Sequence, residues 1–269
     1  MILCRRKSRR VKNQETRAGF LRNQKGFWLP ALVFSSPVFQ NKNMEGIEII
    51  NRRYYAIMVL GIVLPLLLSP FLSTNFLSAD QSFTYRFVFS RFLIWVVLGL
   101  MFLYAHQAEV QRFFLWDEES YDFSFYLISI VSLFVLLIAD GILAHIPYTL
   151  GLHEKSDMLR KMHLLMNRYP ALMVFTCITA GITEELIFRG YMMSRLSLIF
   201  TNKTLPVVIS AALFSYVHLG YKNLGEIIFS FLFGLIFGYH YQKYRNIKVL
   251  IVVHSLWDLM ATWPTLHHR

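Results

Sequence analysis

The 269-residue chain contains only two cysteines, Cys4 and Cys177. One lies in a basic leading segment and the other in an apolar run, so neither a disulfide framework nor a CxxC metal or redox site can be built from them. Charge is also scarce: charged residues make up 16% of the chain and hydrophobic residues 55%, against an ordinary soluble share of about 45–50% apolar. This balance identifies a polytopic membrane protein. Three proteolytic motifs are missing as well. His153-Glu154 is followed by Lys155-Ser156-Asp157 and does not complete HExxH, and neither a GxGD aspartyl motif nor a GxSG serine motif occurs. No internal repeat is evident.

What is present is a series of long apolar segments. They predict an all-α transmembrane helical bundle of about seven spans (six to eight), over 54–72, 87–105, 123–144, 170–190, 204–219, 224–242 and 247–264. The run 204–219 is short, so it is expected to be surrounded by protein. Gly234 and Gly238 form a small-xxx-small pair that predicts close helix packing. Between the third and fourth spans, Met158, Met162, Leu165 and Met166 recur at helical spacing beside Arg160, Lys161 and Arg168, which predicts an amphipathic surface helix.

The net charge of +11 is concentrated at the N-terminus, where residues 1–53 hold 12 of the 27 Lys and Arg against three acids. We read 1–53 as a disordered cytoplasmic tail drawn to anionic lipid and 54–269 as the membrane domain. No folded basic face follows Arg5-Arg6-Lys7-Ser8-Arg9-Arg10, so nucleic acid is not expected as a partner. The apolar run Phe27 to Phe39 is broken by Pro30 and Pro37 and lacks a cleavage signal. Met44 opens a conventional lead-in to the first span, so residues 1–43 are expected to be dispensable. Counting Lys and Arg by side gives 19 inside against 7 outside for an N-in topology.

Ionisable residues interrupt the later spans. Each costs roughly 2.5–3.5 kcal/mol at membrane depth on insertion scales, so a cluster marks a functional site. Glu184-Glu185-Leu186-Ile187-Phe188-Arg189 carries three. Glu185 and Arg189 are four apart and can pair on one helical face, while Glu184 points about 100° away and is free to face a cavity. There it suits a general base that takes a proton from water and returns it to a leaving amine. The simpler alternative is an ion-pair cluster that fixes helix packing. His218 follows Phe214 by one turn, and His254 precedes Asp258 by one turn; a lone histidine at a span end is more often interfacial, and the second pair suits packing or function equally. Depth discriminates: if the helix carrying Glu184 continues to about Phe200, Glu184 and His218 differ by only about 3 Å in height.

Together, EExxxR at Glu184–Arg189, FxxxH at Phe214–His218 and HxxxD at His254–Asp258 resemble the signature of the CPBP family of CaaX proteases and bacteriocin-processing enzymes, within residues 170–264. The Arg189-Gly190 continuation is also present. The resemblance implies an intramembrane endopeptidase like the type II CaaX prenyl enzymes. In it Glu184 and His218 activate water, His254 and Asp258 stabilise the oxyanion or orient, and Glu185, Arg189 and Phe214 support them. Where family members carry Asn, Asp258 offers only acceptors when ionised, so it must be protonated, orient His254 or contribute to a metal site. Two histidines and a carboxylate also match a catalytic zinc shell, with His218 and His254 as ligands. The metal-free reading is preferred because Glu184 and His218 already supply a base and its partner.

The resemblance implies a multi-pass membrane location, the inner membrane in a bacterium, and a membrane-associated or lipidated peptide as substrate. Two other classes compete. A protease-like immunity or scaffold protein would bind peptides without cutting them. A proton-coupled transporter would also place acids and histidines in several spans, but the lack of a repeat and the crowding of polar groups into the last four spans speak against it.

Overall fold

The structure, a computed structural model, describes residues 20–22, 28–30, 44–72, 82–152 and 156–262. The chain forms two compact units, Met1–Tyr54 and Tyr55–Arg269. In the first, β1 (Phe20–Arg22) pairs antiparallel with β2 (Trp28–Pro30), within the segment expected to be an unstructured tail. Helix α1 spans Met44–Leu72. The residues before β1 and those between β2 and α1 lie outside the described set.

Among the described residues the second unit's regular elements are all helical. After α1 come α2 (Phe83–Gln107), α3 (Phe123–Ala144), the short α4 (Ile146–Thr149), α5 (Asp157–Arg168) and α6 (Pro170–Glu185). Helix α6 runs without a break through a π-helical segment, Leu186–Met193, into α7 (Ser194–Ile199). Then follow α8 (Thr204–His218), a 3-10 turn (Leu219–Tyr221), α9 (Leu224–Tyr244) and α10 (Ile247–Thr262). Local chemistry sets several of these starts. The side chains of Ser82, Asp122, Ser156, Asn223 and Asn246 each accept a hydrogen bond from a backbone N–H three residues on, satisfying donors that the first turn leaves free. Arg245 adopts a left-handed conformation (φ 49°) that stops α9 and lets Asn246 open α10.

Six helices among the described residues are long and apolar enough to cross a membrane: Arg52–Ser69, Phe83–Gln107, Phe123–Thr149, Pro170–Ile199, Thr204–Tyr221 and Leu224–Tyr244. The expected seventh corresponds to α10, whose 16 described residues span about 24 Å, short of a hydrocarbon core of about 30 Å. Large apolar side chains such as Leu67, Phe92, Val135 and Ile142 remain exposed on α1, α2 and α3, as a lipid-facing surface requires. The protein is an integral membrane protein. Helix α5 is amphipathic as expected: Leu165 and Met166 are buried against Phe87, Met173 and Cys177, while Arg160 and Lys161 are exposed.

The core of the bundle is α6 with its π extension, α8, α9 and α10. Small residues bring these helices together. A Cβ on Gly181 would stand 2.2 Å from the Ser255 hydroxyl and 3.0 Å from backbone atoms of α10. One on Gly234 would stand 2.8 Å from Ala211 of α8, which is the close packing that the Gly234/Gly238 pair predicts. Helix α8 is less enclosed than its short length suggested, because Leu205, Val208 and Tyr216 are exposed on its outer flank.

Two further anchors hold the loop after α2. Arg195 is fully buried, donates to Glu109 Oε2 through Nε (3.0 Å) and Nη2 (2.7 Å), and also donates to the Arg112 and Phe113 carbonyls. Tyr191 donates to the other Glu109 oxygen at 2.6 Å. Farther along, Glu118 accepts from the Ile247 N–H and the Tyr241 hydroxyl. Burial pushes the Glu118 carboxyl up, opposed by these hydrogen bonds and by Lys248.

Candidate active site

The two glutamates sit at the last turn of α6, immediately before the π segment. A π turn inserts an extra residue and frees backbone groups from the regular ladder, and it recurs at functional sites. Here neighbours capture the displaced carbonyls: Ser210 of α8 donates to Phe188 O at 3.0 Å, and Ser194 donates to Gly190 O and Tyr191 O at 2.8 Å each. Gly190 allows the Phe114 ring to approach, since a Cβ there would stand 2.7 Å from it.

Glu185 and Arg189 pair at 2.9 Å with both side chains essentially inaccessible. The Arg189 guanidinium lies over the rings of Phe214, Phe233 and Phe237, at 4.6, 5.7 and 5.5 Å, an aromatic cage that replaces part of its lost hydration. The same Glu185 oxygen lies 2.8 Å from His254 Nδ1. Glu185, and not Asp258, is therefore the group that fixes this imidazole. With Nδ1–H donated to Glu185, Nε2 faces Glu184 Oε2 at 3.9 Å and Asp258 Oδ2 at 3.7 Å. Both separations exceed hydrogen-bond length, so Nε2 has an electrostatic and not a hydrogen-bonded relation to the two carboxylates.

His218 is oriented from its other side. Its Nδ1 lies 2.7 Å from Phe214 O, and a carbonyl can only accept, so Nδ1 carries the proton and Nε2 is left as an acceptor. The Phe214 ring packs against both His218 (4.7 Å) and His254 (6.3 Å). Glu184 and His218 line one cavity of about 530 Å³. Leu66, Ile94, Val97, Ile187 and Phe188 supply apolar parts of its wall, and polar and charged side chains supply the rest. His254 and Asp258 stand behind Glu184 and do not line it. Glu226, at the start of α9, lies within electrostatic reach of His218 and Asp258.

The alternative zinc shell at His218 and His254 finds no support in this geometry. Among the described residues, no three His, Cys, Asp or Glu side chains form a group that could hold a metal ion. The residues that sequence reasoning missed are Glu109, Arg195 and Glu226. Arg189 and Arg195 are both buried in the bundle.

Residues 167–260 match the type II CAAX prenyl endopeptidase Rce1-like family. Over these residues the chain is similar to that family. The match covers α6 through most of α10 and so contains Glu184, Glu185, Arg189, Phe214, His218, His254 and Asp258. The chain is also 29% identical over 129 residues to the UPF0177 protein YxdF of Lactococcus lactis subsp. lactis (strain IL1403). That stretch covers 47% of this chain and 64% of the relative. No solved structure matches the chain.

Proposed function

We propose that the chain is an intramembrane endopeptidase that hydrolyses a peptide bond of a membrane-associated substrate without a metal. The observation that carries this reading is the shared cavity of Glu184 and His218, in which a carboxylate and an imidazole acceptor face one space. A water held between them donates one hydrogen bond to Glu184 and the other to His218 Nε2, leaving its lone pair directed at a substrate carbonyl. Glu184 takes the proton as the C–O bond forms. It then returns that proton to the amine as the C–N bond breaks, so one carboxylate serves as base and then acid.

The tetrahedral oxygen carries negative charge and needs donors. In this reading His254 Nε2 in its protonated form is the donor, reached once the substrate oxygen passes Glu184, and Asp258 balances its charge. Glu185 fixes the His254 ring and Arg189 fixes Glu185, so the buried ion pair acts through positioning. The N-terminus lies on the cytoplasmic side in this reading, and the substrate reaches the cavity within the membrane.

The test is cleavage of a fluorogenic apolar peptide library by the full chain in detergent. Wild type is expected to cleave, and Glu184→Gln, which keeps the shape and removes the base, to lose about 10²-fold or more with unchanged thermal stability. Equal cleavage by both proteins would refute the assignment of Glu184.

A further inference from the structure

The cavity that holds Glu184 and His218 has an excess of positive charge that the hydrolytic pair does not use. Arg86 and Arg91 of α2, Lys161 of α5 and Lys222 after the 3-10 turn all line it, against two acids, Glu184 and Asp157. Asp157 is engaged by Arg160 at 3.1 Å. Among the described residues, no ion pair involves any of the four cations. The Nε of Arg86 is buried without a hydrogen-bond partner.

Arg91 is the more telling of the two arginines. It stands eight residues into α2, about 12 Å along the helix, where a cation is costly unless it is paired. Its hydrogen bonds are two long ones to the Ser90 hydroxyl, both 3.3 Å, and its guanidinium lies 5.2 Å from the Phe87 ring centroid. These neutral partners leave its charge uncompensated. A forked guanidinium at that depth, open to a cavity, is suited to a carboxylate.

We propose that Arg86 and Arg91, with Lys161 and Lys222 flanking them, form an anion subsite that anchors a carboxylate of the peptide beside the scissile bond. This rests on the endopeptidase reading of the same cavity. The carboxylate can be the peptide's own C-terminus or an acidic side chain, since both present the same two oxygens. Positive charge on this wall also holds an anionic segment in place without neutralising Glu184, because the anion occupies the arginines.

The experiment measures binding and cleavage separately, with the full chain in neutral detergent. The probes are a dansyl-labelled apolar octapeptide as free acid, the same peptide as C-terminal amide, and amide peptides with one internal Glu or Gln. Binding is read by anisotropy on Glu184→Gln, which does not depend on turnover. The free acid or the Glu peptide is expected to bind at least about tenfold tighter than its neutral counterpart, as a charge-assisted hydrogen bond warrants. Whichever pair discriminates identifies the source of the carboxylate.

In Arg86→Gln/Arg91→Gln the ratio should fall to near one, while Arg91→Lys should retain part of it. If the double variant does not fold, Arg91→Gln alone is read in the same way, and the wild-type ratio should shrink as salt is raised. Equal binding of charged and neutral peptides to wild type, or an unchanged ratio in the arginine variants, would overturn the proposal. Binding that ignores peptide charge but weakens when phosphatidylglycerol replaces phosphatidylcholine in nanodiscs would overturn it in favour of a lipid headgroup. Charge-selective binding with no cleavage by wild type would refute the endopeptidase reading and leave the subsite standing. Cleavage without charge selectivity would do the reverse.

Discussion

Replacing Arg189 with methionine tests whether the Glu185–Arg189 pair holds the site together. Both side chains are buried to within 1% exposure, and Glu185 Oε2 already lacks a partner. Arg189→Met leaves the Glu185 carboxylate with only the His254 Nδ1 contact. Removing one member of a buried pair costs about 3–5 kcal/mol, because the remaining charge is uncompensated. Loss of the contacts with Phe214, Phe233 and Phe237 adds to this, at about 0.5–2 kcal/mol for a desolvated cation over a ring, while the methionine side chain refills part of the space. A net loss of about 3–5 kcal/mol is therefore expected, read by reversible unfolding in mixed micelles. Glu185→Gln in the same chain removes the stranded charge and keeps an acceptor for His254. The double variant should be more stable than Arg189→Met alone, with a coupling energy above about 1 kcal/mol. A loss below about 1 kcal/mol in the single variant, or no recovery in the double, would refute the reasoning.

Gly181→Val should destabilise the bundle by about 1–3 kcal/mol and lower activity, since its Cβ would meet Ser255 and the α10 backbone and push His254 away; thermal melts and cleavage rates check both effects. Chelators should leave activity unchanged, and Asp258→Asn should be tolerated or improve the rate, because an amide adds an oxyanion donor; chelator-sensitive cleavage together with metal in the purified protein would overturn the metal-free reading. Deleting residues 1–43 should leave insertion, orientation and cleavage unchanged, because Arg52 and Arg53 still flank the first span; lost activity after correct insertion would assign the tail a role in recruiting substrate.

Much of the site was legible because spacing on a helix is a strong constraint. Four-residue intervals predicted the Glu185–Arg189 contact directly, and depth arithmetic required the helix after Glu184 to continue to about Phe200, where the structure carries it to Ile199. The π segment was not legible, because a π turn leaves no period of its own in eight residues. Long-range partners were equally hidden. Glu109 reads as a loop acid and Arg195 as a cytoplasmic charge until the fold brings them together at 2.7 Å. The same limit explains Asp258, whose four-residue spacing from His254 suggested an orienting bond that Glu185, 69 residues away in sequence, makes instead.

The central claim is that Glu184 and His218 act as one water-activating unit, and a double-mutant cycle on cleavage tests it most directly. Glu184→Gln, His218→Ala and the double variant are compared by kcat/KM on one fluorogenic peptide, with thermal stability measured in parallel. Groups that act as a unit are strongly non-additive. The double variant is expected to be no slower than the worse single, each single losing about 10²-fold or more with the fold intact. Losses that multiply in the double variant, or a His218→Ala protein that retains wild-type activity, would contradict the account.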